Sequence, residues 1–395
     1  MSGGPAGGGA LRPDDPAPTS VSRGMEPLPH GIRRIGVIGA GVMGSGIAQW
    51  IAARGCDVLL RDVQPACLDR AGEVMRGLFD GAVERGKLSA ADAASGWRRI
   101  ATTTGWEGFD TCDLVIEAIV EDVAAKRKLF TEVVARVGED TLLASNTSAL
   151  PIEEIAGHVP NPARTLGLHF FNPVSRMPLV ELVVGPATSA ATAARALGFV
   201  RALGKSPITC RSSPGFLVTR VLFFYLNEAV RRWEQGVPVL EIDRALRDFG
   251  WPMGPLRLID EVGVDVTVLI FRELAHYFPG RFAPTTTCGW MLAAGLKGRK
   301  NGAGRGFYRY EDEGEMINEQ ELVSLFSGRS TGGPVPARRD IAGELMRIMV
   351  DEAQRCLTAG VVQSPGDVDF ALRSGAGFPA SRGGLMEWAR VAGIV

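Results

Sequence analysis

The sequence predicts an alternating α/β N-terminal domain followed by an all-α C-terminal region with a duplicated helical unit. Three observations predict it. Short apolar runs alternate with amphipathic stretches from Arg33 to Val184. After Pro207 the strand-like runs fade and helical periods take over. Landmarks between residues 227 and 252 then recur, in order, between 351 and 379.

The elements follow in order. Residues 1–30 hold six glycines and six prolines with almost no apolar period, and read as a disordered leader without the apolar stretch of a signal peptide. Ile35-Gly36-Val37-Ile38 is a short buried strand, then a glycine-rich turn, then a helix over 45–53. Residues 56–61 are a strand, 64–85 a long helix, 114–118 a strand and 122–137 a helix. Strands over 142–145, 165–171 and 179–184 complete a sheet expected to be parallel and covered on both faces. Pro214-Gly215 punctuates the chain before helices over 216–235 and 240–249. A Gly/Pro/Ser-rich linker opens at Ser327. Beyond it, Asp351-Glu352-Ala353 and Gly360 echo Asn227-Glu228-Ala229 and Gly236, while Val368-Asp369 echoes Ile242-Asp243 and Phe378-Pro379 echoes Trp251-Pro252. The expected domains are 1–30 (leader), 31–212 (nucleotide-binding), 213–326 (helical), 327–337 (linker) and 338–395 (a second, truncated helical repeat).

Composition narrows the function. The 395 residues are 46% apolar and 22% charged, the balance of a globular protein. Basic and acidic side chains number 43 and 44, so there is no general excess of cations for nucleic acid or an anionic membrane. No apolar run approaches the ~18 residues of a membrane span. The six cysteines are scattered, without a CxxC pair or Cys/His cluster, so no metal site is expected, and a reducing, cytoplasmic compartment is.

Gly39-Ala40-Gly41-Val42-Met43-Gly44 is G-x-G-x-x-G between a strand and a helix. Gly39 permits a tight turn, Gly41 lets the backbone approach a pyrophosphate, and Gly44 allows close helix–strand packing. Asp62 ends the second strand, 23 residues past Gly39, where a carboxylate accepts from ribose hydroxyls and repels a 2′-phosphate. These residues predict an α/β Rossmann-type domain that binds NAD rather than NADP. Arg61, beside Asp62, is the one feature pointing the other way.

A second constellation lies downstream. Ser145-Asn146-Thr147-Ser148 ends a strand, His169 follows Ser148 by 21 residues, and Glu181 stands on the next strand. Oxidising an alcohol with NAD needs a base of near-neutral pKa for the hydroxyl proton, and histidine fits best. A buried glutamate beside it would orient the ring.

These segments resemble the 3-hydroxyacyl-CoA dehydrogenases from about Arg33 onward. The resemblance is strongest in Gly39 to Gly44, Ala144 to Ser148, His169 to Val174, Pro214 to Phe216, Gly250 to Leu256 and Gly298-Arg299-Lys300-Asn301-Gly302. It is most like the dehydrogenase half of bacterial multifunctional fatty-acid oxidation enzymes, without their hydratase half. It implies an NAD-dependent oxidation of (S)-3-hydroxyacyl-CoA, or its reverse, by a homodimer. His169 would be the base, Glu181 its partner, and Ser148 a hydrogen-bond partner of the substrate oxygen. Glu121 and Lys126 match contacts to the nicotinamide ribose, Asn172 and Lys300 further cofactor contacts, and Arg85 and Lys87 a basic site for coenzyme A phosphates. The sequence departs from the family at Thr219, where an asparagine is usual. The shorter hydroxyl would substitute for the amide, or accompany a carrier-protein-bound substrate, or mark an impaired NAD-binding homologue.

Overall fold

The computed structural model describes residues 31–299, 304–311, 314–326, 328 and 333–395. The expected leader, Lys300 and part of the expected linker (327 and 329–332) lie outside these residues.

The N-terminal half runs β1 (Arg34–Ile38), α1 (Val42–Ala52), β2 (Asp57–Arg61), α2 (Pro65–Glu84), α3 (Ala90–Arg98), β3 (Ile100–Thr103), β4 (Leu114–Glu117), α4 (Val123–Val134), β5 (Leu142–Ser145), α5 (Ile152–Ala156), β6 (Thr165–Phe170), β7 (Leu179–Val184), α6 (Ala190–Ala202) and β8 (Ser206–Arg211). The strands form one sheet in the order β3-β2-β1-β4-β5-β6-β7-β8. Every residue of β4, β5 and β6 is buried, as expected of strands covered on both faces. Ile47, Ile51, Met75 and Phe199 pack on one face of the sheet, and Phe130, Val133 and Ile155 on the other.

The sheet departs from the expected all-parallel arrangement at one edge. From β3 to β6 the pairs are parallel, but β7 runs antiparallel to β6 and β8 parallel to β7. The chain between β6 and β7 is short (residues 171–178), and a parallel return needs a crossover of about a dozen residues or more. This reversal sets the geometry of the site.

The C-terminal half is helical: α7 (Val218–Glu234), α8 (Val239–Phe249), α9 (Pro255–Val262), α10 (Val264–Tyr277), α11 (Thr287–Ala293), then the hairpin β9 (Tyr308–Glu311) and β10 (Gly314–Ile317), then α12 (Glu319–Leu325), α13 (Arg338–Thr358), α14 (Pro365–Ala371) and α15 (Leu385–Val391). The hairpin is an addition to the expected helices. Asp260 holds it, accepting the N–H groups of Phe307 and Tyr308 and the Tyr310 hydroxyl.

The duplication shows in a shared device. Asp243 on α8 accepts the N–H groups of Leu256 and Arg257 in the first turn of α9. Asp369 on α14 does the same for Met386 and Glu387 in the first turn of α15. Gly254 and Gly384 precede those helices, and a Cβ on either would overlap the aspartate. Helix α13 packs along α7 and α8, and buried Glu352 bridges Arg220 and Arg281. The apolar stripe of α7 is used within the chain: Phe223 meets Phe271, and Phe224 meets Phe278 and Phe282.

Candidate active site

The sheet order reverses direction at β1, between β2 and β4, and the glycine turn sits outside the carboxyl ends of β1 and β4. Gly39 has φ +104° and donates its N–H to the Arg61 carbonyl at 2.8 Å. A Cβ there would lie 2.5 Å from the Ala118 carbonyl oxygen, so only glycine fits between the strands. A Cβ on Gly44 would overlap the Gly39 carbonyl, so α1 approaches the turn closely. Gly41, by contrast, faces open space at the N-terminus of α1, and Val42 beside it is exposed. Met43 follows, partly buried. Asp62 braces the turn, accepting the N–H of Ala40 at 2.9 Å and that of Gln64 at 2.9 Å. Arg61 turns away: its Nε donates to the Gly105 carbonyl and its guanidinium lies 3.9 Å from the Trp106 ring centre. The open cradle, the helix N-terminus and the carboxylate at the end of β2 fit NAD.

A buried ion cluster closes the next strand ends. Lys126 on α4 is 1% exposed and lies 2.6 Å from Glu117 and 3.2 Å from Glu121. Glu117 also accepts the Ser145 hydroxyl at 2.5 Å and the Ile119 N–H at 2.7 Å. Glu121 accepts the Thr147 hydroxyl and the N–H groups of Ser148 and Ala149. Burial opposes the Glu121 charge, yet Lys126 and these donors hold its carboxyl below the ordinary value. Burial likewise opposes the Lys126 charge, and the two glutamates hold its pKa above the ordinary value. The cluster therefore fixes the loop that carries Ser148.

Ser148, His169 and Glu181 form a continuous relay. The antiparallel register sets His169 directly opposite Glu181, where cross-strand side chains share a face. The His169 Nδ1 lies 2.7 Å from Glu181 Oε2, and Nε2 lies 3.1 Å from the Ser148 hydroxyl. Glu181 is fully buried, and its Oε1 accepts the N–H groups of Leu217 and Val218 at the start of α7. That helix end complements negative charge. A carboxylate facing Nδ1 takes the proton of that nitrogen in a hydrogen bond and leaves Nε2 as the acceptor. Phe171 and Phe216 flank the ring, with centroids 4.4 and 5.9 Å away.

The remaining expected residues are placed less centrally. Asn172 is exposed on the loop after β6. Thr219, in the first turn of α7, is buried, and its hydroxyl has no hydrogen-bond partner among the described residues. Arg85 and Lys87 are exposed after the end of α2 and take no ion-pair partner among the described residues. No group of three or more His, Cys, Asp or Glu among the described residues is placed to hold a metal, and no described helix is long and apolar enough to cross a membrane.

Three further residues hold the site. Glu117 is the one charged residue of β4, Leu-Val-Ile-Glu, and its place at the carboxyl end of the strand is the signal that marks it. Asn146, inside the singled-out 145–148 stretch, accepts the Phe170 N–H and ties β5 to β6. Lys205 donates to the carbonyls of Val174 and Met177 and lies against Trp50, anchoring the loop between β6 and β7. Burial first, then nearby Arg54, lowers its pKa to about 8.

A dinucleotide cradle beside a histidine–carboxylate relay defines an NAD-dependent oxidoreductase. Comparison with known proteins sharpens the class. Residues 34–213 match the 3-hydroxyacyl-CoA dehydrogenase NAD binding domain, and residues 215–310 the 3-hydroxyacyl-CoA dehydrogenase C-terminal domain. The crystal structure of FadB2 from M. tuberculosis is 39% identical, with a TM-score of 0.68 over 71% of this chain and 99% of that one. 3-Hydroxybutyryl-CoA dehydrogenase from Escherichia coli is 29% identical, with a TM-score of 0.76 over 91% and 92%. (S)-3-Hydroxybutyryl-CoA dehydrogenase PaaH1 from Ralstonia eutropha is 38% identical, with a TM-score of 0.66 over 71% and 100%. The chain belongs to the 3-hydroxyacyl-CoA dehydrogenase family and is an NAD-dependent enzyme of that family.

Proposed function

We propose that this chain interconverts (S)-3-hydroxyacyl-CoA and 3-oxoacyl-CoA, with His169 as general base and acid. The Ser148–His169–Glu181 hydrogen-bond chain carries this reading. NAD, when bound, accepts the hydride leaving the carbinol carbon. His169 Nε2 takes the hydroxyl proton as the C–O bond becomes a carbonyl, and returns it in the reverse direction. Glu181 holds the ring through Nδ1 and stabilises the imidazolium while the proton is there. The Ser148 hydroxyl donates to the same oxygen. Thr219 stands near the start of α7 and offers a second hydroxyl. Gly39, Gly41, Val42, Met43 and Gly44 would receive the pyrophosphate, and Asp62 the adenosine ribose. Glu121, Lys126, Asn172 and Lys300 remain proposed cofactor residues. In this protein Lys126 acts on the cofactor through Glu121, because both carboxylates already occupy its ammonium. Arg85 and Lys87 would meet coenzyme A phosphates.

The test is NADH oxidation with acetoacetyl-CoA and longer 3-oxoacyl-CoA substrates. Turnover is expected, and its absence at every chain length overturns the reading. A second reading, motivated by Thr219 in place of the family asparagine, is a carrier-protein-bound acyl substrate, which a clear preference for acyl carrier protein over CoA would select. We place the enzyme in cytoplasmic fatty-acid oxidation, as a homodimer. The α7 stripe is enclosed within the chain, so the dimer would use another surface. A light-scattering mass near the 42.1 kDa of one chain would exclude it.

A further inference from the structure

The second helical unit reaches the surroundings of the relay through α13 and the turn after α14. After α14 the chain makes a wider π-turn, Leu372–Ala376, a deviation often found at functional sites. Gly375 in that turn sits against three residues of the catalytic strand pair and α7. A Cβ there would lie 2.5 Å from Leu179 Cδ2, 3.4 Å from Val218 Cγ2 and 3.5 Å from Phe171 Cζ. Each of these is tied to the relay. Leu179 precedes Glu181 by two residues on β7 and so shares its face. The Val218 N–H donates to Glu181. The Phe171 ring packs against the imidazole and is only half-buried.

The unit is locked in this position. The Arg211 N–H on β8 donates to the Val361 carbonyl at 2.8 Å, and its guanidinium donates to the Ala359 carbonyl. Buried Glu352 on α13 pairs with Arg220, one residue past Thr219. A shift of this unit is therefore felt at Phe171, Leu179 and the start of α7 together.

We propose that the second helical unit sets acyl-chain specificity, with Gly375 as the positioning residue that lets Phe171 wall the pocket over the core that holds fully buried Leu179. This rests on the reading that His169 Nε2 contacts the 3-hydroxyl. A substrate oxygen at Nε2 brings the substituents of the same carbon beside the Phe171 ring. The missing side chain at Gly375 leaves that ring room to move aside for a longer acyl group.

The experiment compares the full-length wild type with Gly375→Ala, Leu179→Val and the double variant on acetoacetyl-CoA and on a long-chain 3-oxoacyl-CoA. Gly375→Ala lowers kcat/KM for the long substrate about tenfold relative to the short one, the scale of one methyl group in an apolar pocket. Leu179→Val shifts the ratio the other way, and the double variant returns toward the wild type. NADH affinity stays unchanged throughout. Gly343→Ala, in open space on the same unit, leaves the ratio unchanged. An unaltered ratio in both single variants, or a double variant that does not recover, overturns the inference. A proportional loss on both substrates shows a merely structural role and also overturns it. A wild type inactive on every substrate overturns the underlying dehydrogenase reading instead.

Discussion

Two buried charge clusters stand side by side at the carboxyl ends of the strands, and they are built from similar parts. In the Glu117–Lys126–Glu121 cluster one cation satisfies two carboxylates, and hydroxyl and N–H donors fill the remaining acceptor positions. In the Ser148–His169–Glu181 relay one carboxylate holds one ring nitrogen of an imidazole, and the other nitrogen meets only a hydroxyl. The first is a closed staple. The second leaves one ring nitrogen that, in the proposed reaction, exchanges a proton with the substrate. The difference lies less in charge than in what is left unsatisfied. A lysine has three donors and no acceptor, whereas a neutral histidine presents an acceptor opposite its donor.

Breaking the relay should give the largest effect. His169→Ala lowers kcat with acetoacetyl-CoA by up to about 10⁴-fold, the upper range for a general base. NADH affinity, measured by fluorescence titration, stays within error, and a parallel loss of binding would contradict the assigned role. Glu181→Gln comes next, at about 10²-fold in kcat. The N–H groups of Leu217 and Val218 demand an oxygen at Oε1, so the new amide nitrogen faces Nδ1. It then drives the ring to the tautomer whose Nε2 cannot accept.

Breaking the staple should cost stability first. Lys126→Met leaves two carboxylates buried without their cation and lowers the unfolding free energy by about 3–5 kcal/mol, read by urea denaturation. The pH dependence has a definite sign. Glu121 is held below its ordinary value of 4.5, so its contribution is present above that pH and is lost as the pH falls through the folded-state value. Lys126→Met should flatten that acid-side loss, and an unchanged slope would show that Glu121 does not report on the cluster. Thr219→Asn should have the smallest effect, raising kcat by about tenfold if the hydroxyl is a poor replacement for an oriented donor. No change, with wild-type turnover already high, would show that threonine suffices.

Much of the fold was legible because local physics writes it. The buried runs of β1, β4, β5 and β6 have no choice but to be covered strands, and G-x-G-x-x-G needs glycine at each position where a Cβ would collide or block an approach. Other elements left weak marks. Strand β3 is an edge strand only partly buried, so its apolar pattern is faint. Pro207 lies inside β8, where it looked like a break, although an edge strand tolerates proline. Helix α3 carried a usable signal: Ser89 caps it, accepting the Asp92 N–H.

The site divides along the same line. By itself the sequence determined the chemical inventory: a glycine turn, Asp62, Ser148, one histidine on a strand and one glutamate on the next. Each is a local pattern of residue type and spacing. Only the tertiary structure decided the antiparallel turn of β7 that puts Glu181 opposite His169, the α7 end that holds the far oxygen of Glu181, and the approach of Gly375 to Phe171. Those depend on contacts between residues 12 to more than 200 positions apart, which no local pattern encodes.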